Sequence, residues 1–307
     1  MSKPWLASVF QAMRPKQWTK NVVVLAAFVF ALGDRHQNIN IADFWTALKA
    51  VLLFCAVSSG IYLVNDVRDI ELDRSHPTKK LRPLAAGEIS TGTAVGFALI
   101  LLAAGLGGAA MLSLPLFSVV AGYVVLQVVY TFALKQIALV DLFVIASGFV
   151  LRALAGAVVL NVTISPWLLL CALLLALFLA LCKRRHERVV LNDAGGETRE
   201  NLAQYSEQLL DQLIAVVSSA TLVSYALYTL WPDTIAKFGT AKLGLTIPFV
   251  IFGLFRYLDL VYRHEKGGQP EVILLTDKPL LADLALYGLT VAAVLLLRHY
   301  SGTVNNF

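Results

Sequence analysis

The chain has 307 residues, 58% hydrophobic and only 15% charged, with a mean hydropathy of +0.72 and a formal net charge of +5. Soluble domains run roughly 45–50% apolar and about 25% charged, so this composition does not fit a soluble globule. Cys55, Cys171 and Cys182 lie in apolar stretches without CxxC or Cys/His spacing, which argues against a zinc site or a disulfide framework.

The first 20 residues contain no early apolar core or small-residue cleavage pattern, so a cleavable signal peptide is not expected. Trp5, Phe10 and Trp18 stand among Lys3, Arg14, Lys16 and Lys20, the pattern of an interfacial amphipathic segment over 1–20. A bilayer core about 30 Å thick needs roughly 20 apolar helical residues. That ruler predicts nine spans, near 18–33, 44–64, 92–114, 115–134, 138–160, 165–182, 211–231, 243–262 and 280–298. No linker-like stretch interrupts them, so the expectation is one all-α integral membrane domain over 1–307.

Of the 25 Lys and Arg residues, 18 fall on one side: the N-terminus, the 65–91 loop, Lys135, the 183–210 loop, Arg263, Lys266 and Lys278. Arg35, Lys49, Lys237, Lys242 and Arg298 fall on the other. The positive-inside rule then places the N-terminus in the cytoplasm and the chain in the plasma membrane as a multi-pass protein. The basic face would attract anionic headgroups or phosphorylated substrates. No nucleic-acid-binding module is recognisable, so nucleic acid is not an expected partner.

The sharpest chemical feature ends the second span: Asn65-Asp66-Val67-Arg68-Asp69-Ile70-Glu71-Leu72-Asp73. On a continuing helix Asn65, Asp69, Asp73 and Asp66 project at about 0°, 40°, 80° and 100°, all on one face. Crowded hard oxygen donors suit Mg²⁺ shared with substrate phosphates. The alternative is a solvated helix end whose charges pair with Arg68, Arg74 and Lys79. The following loop, broken by Pro77, Pro83 and Gly87, supplies Lys79 and Arg82 as phosphate contacts, or fixes topology only.

Further along, Tyr130 and Lys135 end the fourth span, where Lys135 can serve a diphosphate or snorkel to the interface. Asp141 and Arg152 are eleven residues apart in the fifth span, nearly one helical face, and intramembrane charges usually face a cavity. After the sixth span comes Lys183-Arg184-Arg185-His186-Glu187-Arg188, then Tyr205 and Asp211. Lys183 and Glu187 have the spacing of a surface pair, and the run reads equally as a phosphate site or a topology signal.

Asn65, Asp66, Asp69 and Asp73 match NDxxDxxxD, and with them the chain resembles the UbiA superfamily of intramembrane prenyltransferases over nearly its whole length. The stretches Arg14 to Asn21, Asp73 to Pro77, Gly148 to Ala157, Lys183 to Glu187, Arg256-Tyr257 and Gly267 to Glu271 are most similar to its decaprenyl-phosphate phosphoribosyltransferase branch. That resemblance implies a nine-helix bundle around a laterally open cavity. It also implies Mg²⁺-dependent transfer of 5-phosphoribose from phosphoribosyl diphosphate to a polyprenyl phosphate, toward lipid-linked arabinose donors for the cell wall. The metal ligands would be Asn65, Asp66, Asp69 and Asp73. Substrate contacts would come from Lys16, Lys79, Arg82, Tyr130, Lys135, Asp141, Arg152, Lys183, Arg184, Arg185, Glu187 and Tyr205.

Two features depart from the superfamily pattern. The basic run at 183–188 stands where aromatic prenyltransferases usually carry a second DxxxD, and Tyr130 and Lys135 are separated by four residues instead of forming YxxxK. More cations and fewer carboxylates suit a site holding several phosphate groups. The competing readings are a prenyl-diphosphate-dependent aromatic prenyltransferase and a transporter. Against transport, no inverted repeat is convincing and the acidic cluster lies at a membrane edge. Acceptor chain length and homo-oligomerisation are not legible.

Overall fold

The computed structural model describes residues 4–34, 36–76, 78–194, 204–263, 267–268 and 270–304. Lys3, Arg35, Pro77, Arg199, Lys266 and Gln269, used in the sequence reading, lie outside the described residues, as do the side chains of Glu271 and Arg298. The described chain is helical: α1 (Trp5–Ala12), α2 (Ala26–Leu32), α3 (Asp43–Arg68), α4 (Ile70–Ser75), α5 (Thr91–Leu112), α6 (Leu114–Phe132), α7 (Val140–Leu160), α8 (Pro166–Ala194), α9 (Glu207–Leu230), α10 (Pro232–Phe238), α11 (Ile247–Arg263), α12 (Pro270–Thr276) and α13 (Lys278–Val304).

Among the described residues eight helical segments are long and apolar enough to cross a membrane. Their bounds follow the predicted spans closely. The expected count of about nine is near this; the first predicted span is an 11-residue 3-10 stretch, Pro15–Leu25, followed by the 7-residue α2. The β-branched run Val22-Val23-Val24 has weak α preference, and Asn21 is committed to partners on other helices.

Local chemistry sets the helix starts. Asn40 accepts from the Ala42 amide (2.8 Å) while Asp43 accepts from the Asn40 amide (2.9 Å), a reciprocal cap before α3. Ser90, Ser113 and Ser206 cap α5, α6 and α9 by accepting from Thr93, Leu116 and Leu209 amides. Of the residues in α3's apolar window 61% are buried, against 17% in α5, so α3 packs at the core of its unit and α5 leaves most of its surface exposed.

The chain divides into two compact units, each discontinuous in sequence. The first comprises the described parts of Met1–Phe28, Asn40–Lys135 and Leu151–Thr163. Its core gathers Val24, Phe54, Val57, Leu116, Val120, Tyr123 and Ala155. Close packing here needs glycine: a Cβ on Gly156 would lie 2.0 Å from the Val24 carbonyl oxygen, and one on Gly105 would lie 2.3 Å from Val57. The second unit comprises Val29–Ile39, Gln136–Val150 and the described part of Ile164–Phe307, with Leu142, Phe178, Leu181, Tyr205, Leu210, Tyr257 and Leu260 in its core.

Candidate functional site

In the first unit, α3 carries Asn65 and Asp66 on its last turn. Asp69 steps out of helical geometry at φ −99°, ψ 10°, and α4 follows at once. Its amide still donates to the Asn65 carbonyl (3.0 Å), and the Asp73 amide donates to the Asp69 carbonyl (2.8 Å). The turn-by-turn spacing therefore survives the break, as the periodicity predicts. Asp66 and Asp73 are 3% exposed and Asp69 is 9% exposed, which rules out a solvated helix end.

Each buried carboxylate has a cation beside it. Arg14 pairs with Asp66, and Lys135 pairs with Asp69. Arg82 donates through one nitrogen to Asp66 (3.2 Å) and Asp73 (2.5 Å). Thr131 donates to the Asn65 side-chain oxygen and to the Gln127 carbonyl (2.8 Å). Arg74, an alternative partner in the sequence reading, pairs instead with exposed Glu71 (2.9 Å). Lys79 opens the turn Lys79–Leu81 just ahead of Arg82, Lys16 is exposed on the 3-10 stretch, and half-buried Tyr130 precedes Thr131.

Arg14 and Thr131 belong to this cluster, and the sequence reading gave neither a role. Arg14 carried a weak signal, lying in the basic stretch before the first span. Its backbone is left-handed (φ 56°, ψ 60°), unusual for a residue with a side chain, and its guanidinium stacks 4.9 Å from the Tyr62 ring centroid. Thr131 is one hydroxyl in an apolar span and carries no such signal.

Among the described residues no three His, Cys, Asp or Glu side chains converge tightly enough to hold a metal ion by themselves. The donor set nevertheless fits a divalent ion shared with phosphates. Hard oxygens on Asn65, Asp66, Asp69 and Asp73 lie within consecutive turns, and the cations beside them are groups that also bind phosphate.

The second unit holds the other predicted residues. Asp141, fully buried at the start of α7, accepts from Arg184 (2.5 Å) and from the Tyr205 hydroxyl (2.9 Å). The Leu139 amide donates to the same hydroxyl (2.5 Å), with Leu139 in a left-handed turn at φ 67°. Burial pushes the Tyr205 phenol up to about 12; Asp141 adds to the shift and the Leu139 amide opposes it. Glu187, spaced to pair with Lys183, accepts from Arg184 (2.6 Å), three residues away. Arg185 donates to Asp211 (2.6 Å) and stacks 4.1 Å from the Tyr262 ring centroid, while Tyr262 donates to Asp211 (2.8 Å). Lys183 is exposed.

Asp141 and Arg152 are both buried on α7, as their spacing predicts, but their partners lie in different units. Arg152 belongs to the first unit, where it donates to Asn21 (2.7 Å) and to the Tyr123 hydroxyl (2.8 Å).

Fold and site together define a helical multi-pass membrane protein with buried carboxylates and paired Arg and Lys side chains gathered at the end of α3. The model of the UbiA prenyltransferase family matches residues 21–271, and the chain belongs to that family. It is 38% identical over 283 residues to the decaprenyl-phosphate phosphoribosyltransferase of Corynebacterium glutamicum, covering 89% of this chain and 82% of that protein. It is 36% identical over 293 residues to the enzyme of the same name from Mycobacterium tuberculosis, covering 94% and 95%. Among solved structures, a UbiA homolog from Archaeoglobus fulgidus bound to GPP and Mg²⁺ superposes with a TM-score of 0.71 at 20% identity, covering 94% of this chain and 99% of that one. A UbiA homolog from Aeropyrum pernix superposes at 0.62 with 15% identity, covering 92% and 98%.

Proposed function

We propose that this protein transfers 5-phosphoribose from phosphoribosyl diphosphate to a polyprenyl phosphate at the cytoplasmic face of the plasma membrane. The observation carrying the chemistry is the convergence of Arg14, Arg82 and Lys135 on buried Asp66, Asp69 and Asp73. The choice of donor and acceptor is supported by near-full-length similarity to enzymes named for that transfer.

Asn65, Asp66, Asp69 and Asp73 would hold Mg²⁺, which supplies charge neutralisation to the departing diphosphate. Arg14, Arg82 and Lys135 exchange their carboxylate partners for diphosphate oxygens and fix the donor. An acceptor phosphate oxygen forms a bond to the anomeric carbon of ribose as the bond from that carbon to diphosphate breaks, the diphosphate leaving with the electron pair. The nucleophile is already anionic, so no side chain has to remove a proton. Catalysis comes from positioning and from stabilising the leaving charge. Lys16, Lys79, Tyr130 and Lys183 are further candidate contacts. Asp141, Arg184, Glu187 and Tyr205 act in holding the second unit's polar core, which is the role their mutual bonds support, and Arg185 acts in pairing with Asp211.

The test is detergent-purified protein incubated with Mg²⁺, labelled phosphoribosyl diphosphate and polyprenyl phosphate, followed by lipid extraction. Label in the lipid phase is expected. Transfer from a labelled prenyl diphosphate, with none from phosphoribosyl diphosphate, overturns the reading. Orientation is checked separately: a cysteine at Ser75, with native cysteines removed, should react with an impermeant thiol reagent only from the cytoplasmic side.

A further inference from the structure

The end of α6 meets the end of α3 in register. Asn65 and Asp69 are four residues apart, and so are the residues that reach them, Thr131 on the last turn of α6 and Lys135 in the 3-10 turn just after it. Lys135 ties this end of α6 to Asp69, and Thr131, 5% exposed, is delivered against the Asn65 side chain. The Thr131 hydroxyl also lies 2.8 Å from the Gln127 carbonyl oxygen, one turn back on α6.

These two donations compete, because the hydroxyl has a single hydrogen. Two arrangements share the geometry, since a carboxamide keeps its shape when its oxygen and nitrogen exchange places. In one, Thr131 donates to the Asn65 oxygen, and the end of the amide not held by Thr131 is its NH2. In the other, Thr131 keeps its hydrogen on Gln127 and accepts from the Asn65 NH2, which leaves the Asn65 oxygen free. Only the second offers a cation the lone pairs it needs; an amide NH2 repels one.

We infer that Thr131 is a positioning residue for the metal site: with its hydrogen on the Gln127 carbonyl, its hydroxyl accepts from the Asn65 amide and so presents the Asn65 oxygen to the divalent ion. The inference rests on the proposed transfer reaction and adds to it how the one neutral ligand is oriented. Asp66, Asp69 and Asp73 carry oxygen at both ends and stand beside cations. Asn65 is the member of the set with a wrong end, and it is the one that a hydroxyl meets.

Thr131→Val keeps the side chain's shape and removes the hydroxyl, while Thr131→Ser keeps the hydroxyl. Mn²⁺, which takes the same oxygen ligands, is titrated alone onto detergent-purified full-length protein, with free metal read by electron paramagnetic resonance. The Mg²⁺ concentration giving half-maximal transfer is read in the assay above. Thr131→Val should weaken both on the order of tenfold, with the melting temperature and the KM for polyprenyl phosphate close to wild type. Thr131→Ser should restore both. Asn65→Asp has an oxygen at either end, so it should bind Mn²⁺ more tightly than wild type with KM for phosphoribosyl diphosphate within about twofold. Adding Thr131→Val to Asn65→Asp should then cost Mn²⁺ binding no more than about twofold.

Unchanged metal dependence in folded Thr131→Val overturns the inference, as does a loss that Thr131→Ser does not restore. The same tenfold loss in the Asn65→Asp background also overturns it, because the hydroxyl would then act otherwise than by orienting an amide. Should Thr131→Val not fold, Asn65→Asp alone still decides between the arrangements. Unchanged Mn²⁺ binding with a raised KM for phosphoribosyl diphosphate would mean that the NH2 faces the diphosphate, and the inference fails. Failure of the underlying reading looks different: wild-type protein would then transfer no phosphoribose, while the Mn²⁺ titrations would still report on Thr131.

Discussion

The acidic helix end and the basic run after the sixth predicted span look alike in sequence, each a dense set of charges at a membrane edge, yet they use their charges differently. At the helix end, Asp66, Asp69 and Asp73 keep one face and draw cations from two distant segments, at Arg14 and Lys135, and from the loop that follows, at Arg82. In the basic run, the charges are dispersed to separate partners: Arg184 turns inward to Asp141, and Arg185 pairs with the more exposed Asp211. A run of like charges is thus not yet a charged surface. Its character depends on carboxylates that the fold brings from elsewhere. The cations meeting the aspartates converge on one cluster, while in the basic run Arg184 is tied into a packed core and Lys183 is left exposed.

Removing charges in both regions sharpens that contrast. Asp69→Ala should reduce phosphoribosyl transfer at least about a hundredfold, comparable to losing a major transition-state electrostatic contact. It should remain folded and membrane-inserted, because Lys135, the cation it leaves behind, is still partly exposed, unlike Asp141. Exhaustive treatment with EDTA should act in the same way on wild-type protein. Near-normal turnover after either change would mean that this cluster is structural too, and the contrast would collapse.

Arg184→Gln should produce the opposite signature. It leaves Asp141 charged in a fully buried position, which costs about 3–5 kcal/mol when one partner of such a pair is removed. Thermal unfolding should show a large loss of stability, and adding Asp141→Asn should recover most of it. If Arg184→Gln melts normally but loses affinity for phosphoribosyl diphosphate, Arg184 is a substrate ligand and the two regions are alike after all.

Much of this was legible beforehand. Apolar length located the membrane helices, and the period of the helix placed Asn65, Asp66, Asp69 and Asp73 together. The 3-10 geometry of Pro15–Leu25 was not legible, because apolar length measures burial in lipid and says nothing of backbone winding. Nor was the pairing of Asp141 with Arg184 and Tyr205, since a period along one helix cannot show which residue meets it from another. Arg14 illustrates the same limit: its contact with Asp66 depends on a left-handed backbone turn that no residue pattern announces.

The smallest expected effect concerns Tyr205, and it tests whether the second region is structural without changing any formal charge at neutral pH. Its hydroxyl donates to Asp141 and accepts from the Leu139 amide, so Tyr205→Phe removes two bonds and should cost about 1–3 kcal/mol. The pH dependence gives a second readout. The folded protein holds the phenolic proton to about 12, against about 10 for an ordinary tyrosine, because burial and Asp141 both disfavour the phenolate. In the window between those values the folded state binds more protons than the unfolded state, so stability from this group is present below about pH 10 and is lost as pH rises toward 12. Wild-type and Tyr205→Phe proteins should therefore differ most in melting temperature near neutral pH and converge as the solution is made strongly alkaline. A gap that stays constant from pH 8 to pH 11 would mean the hydroxyl is not held as described, and the claim that the basic run is tied into a buried network would lose its support from this residue.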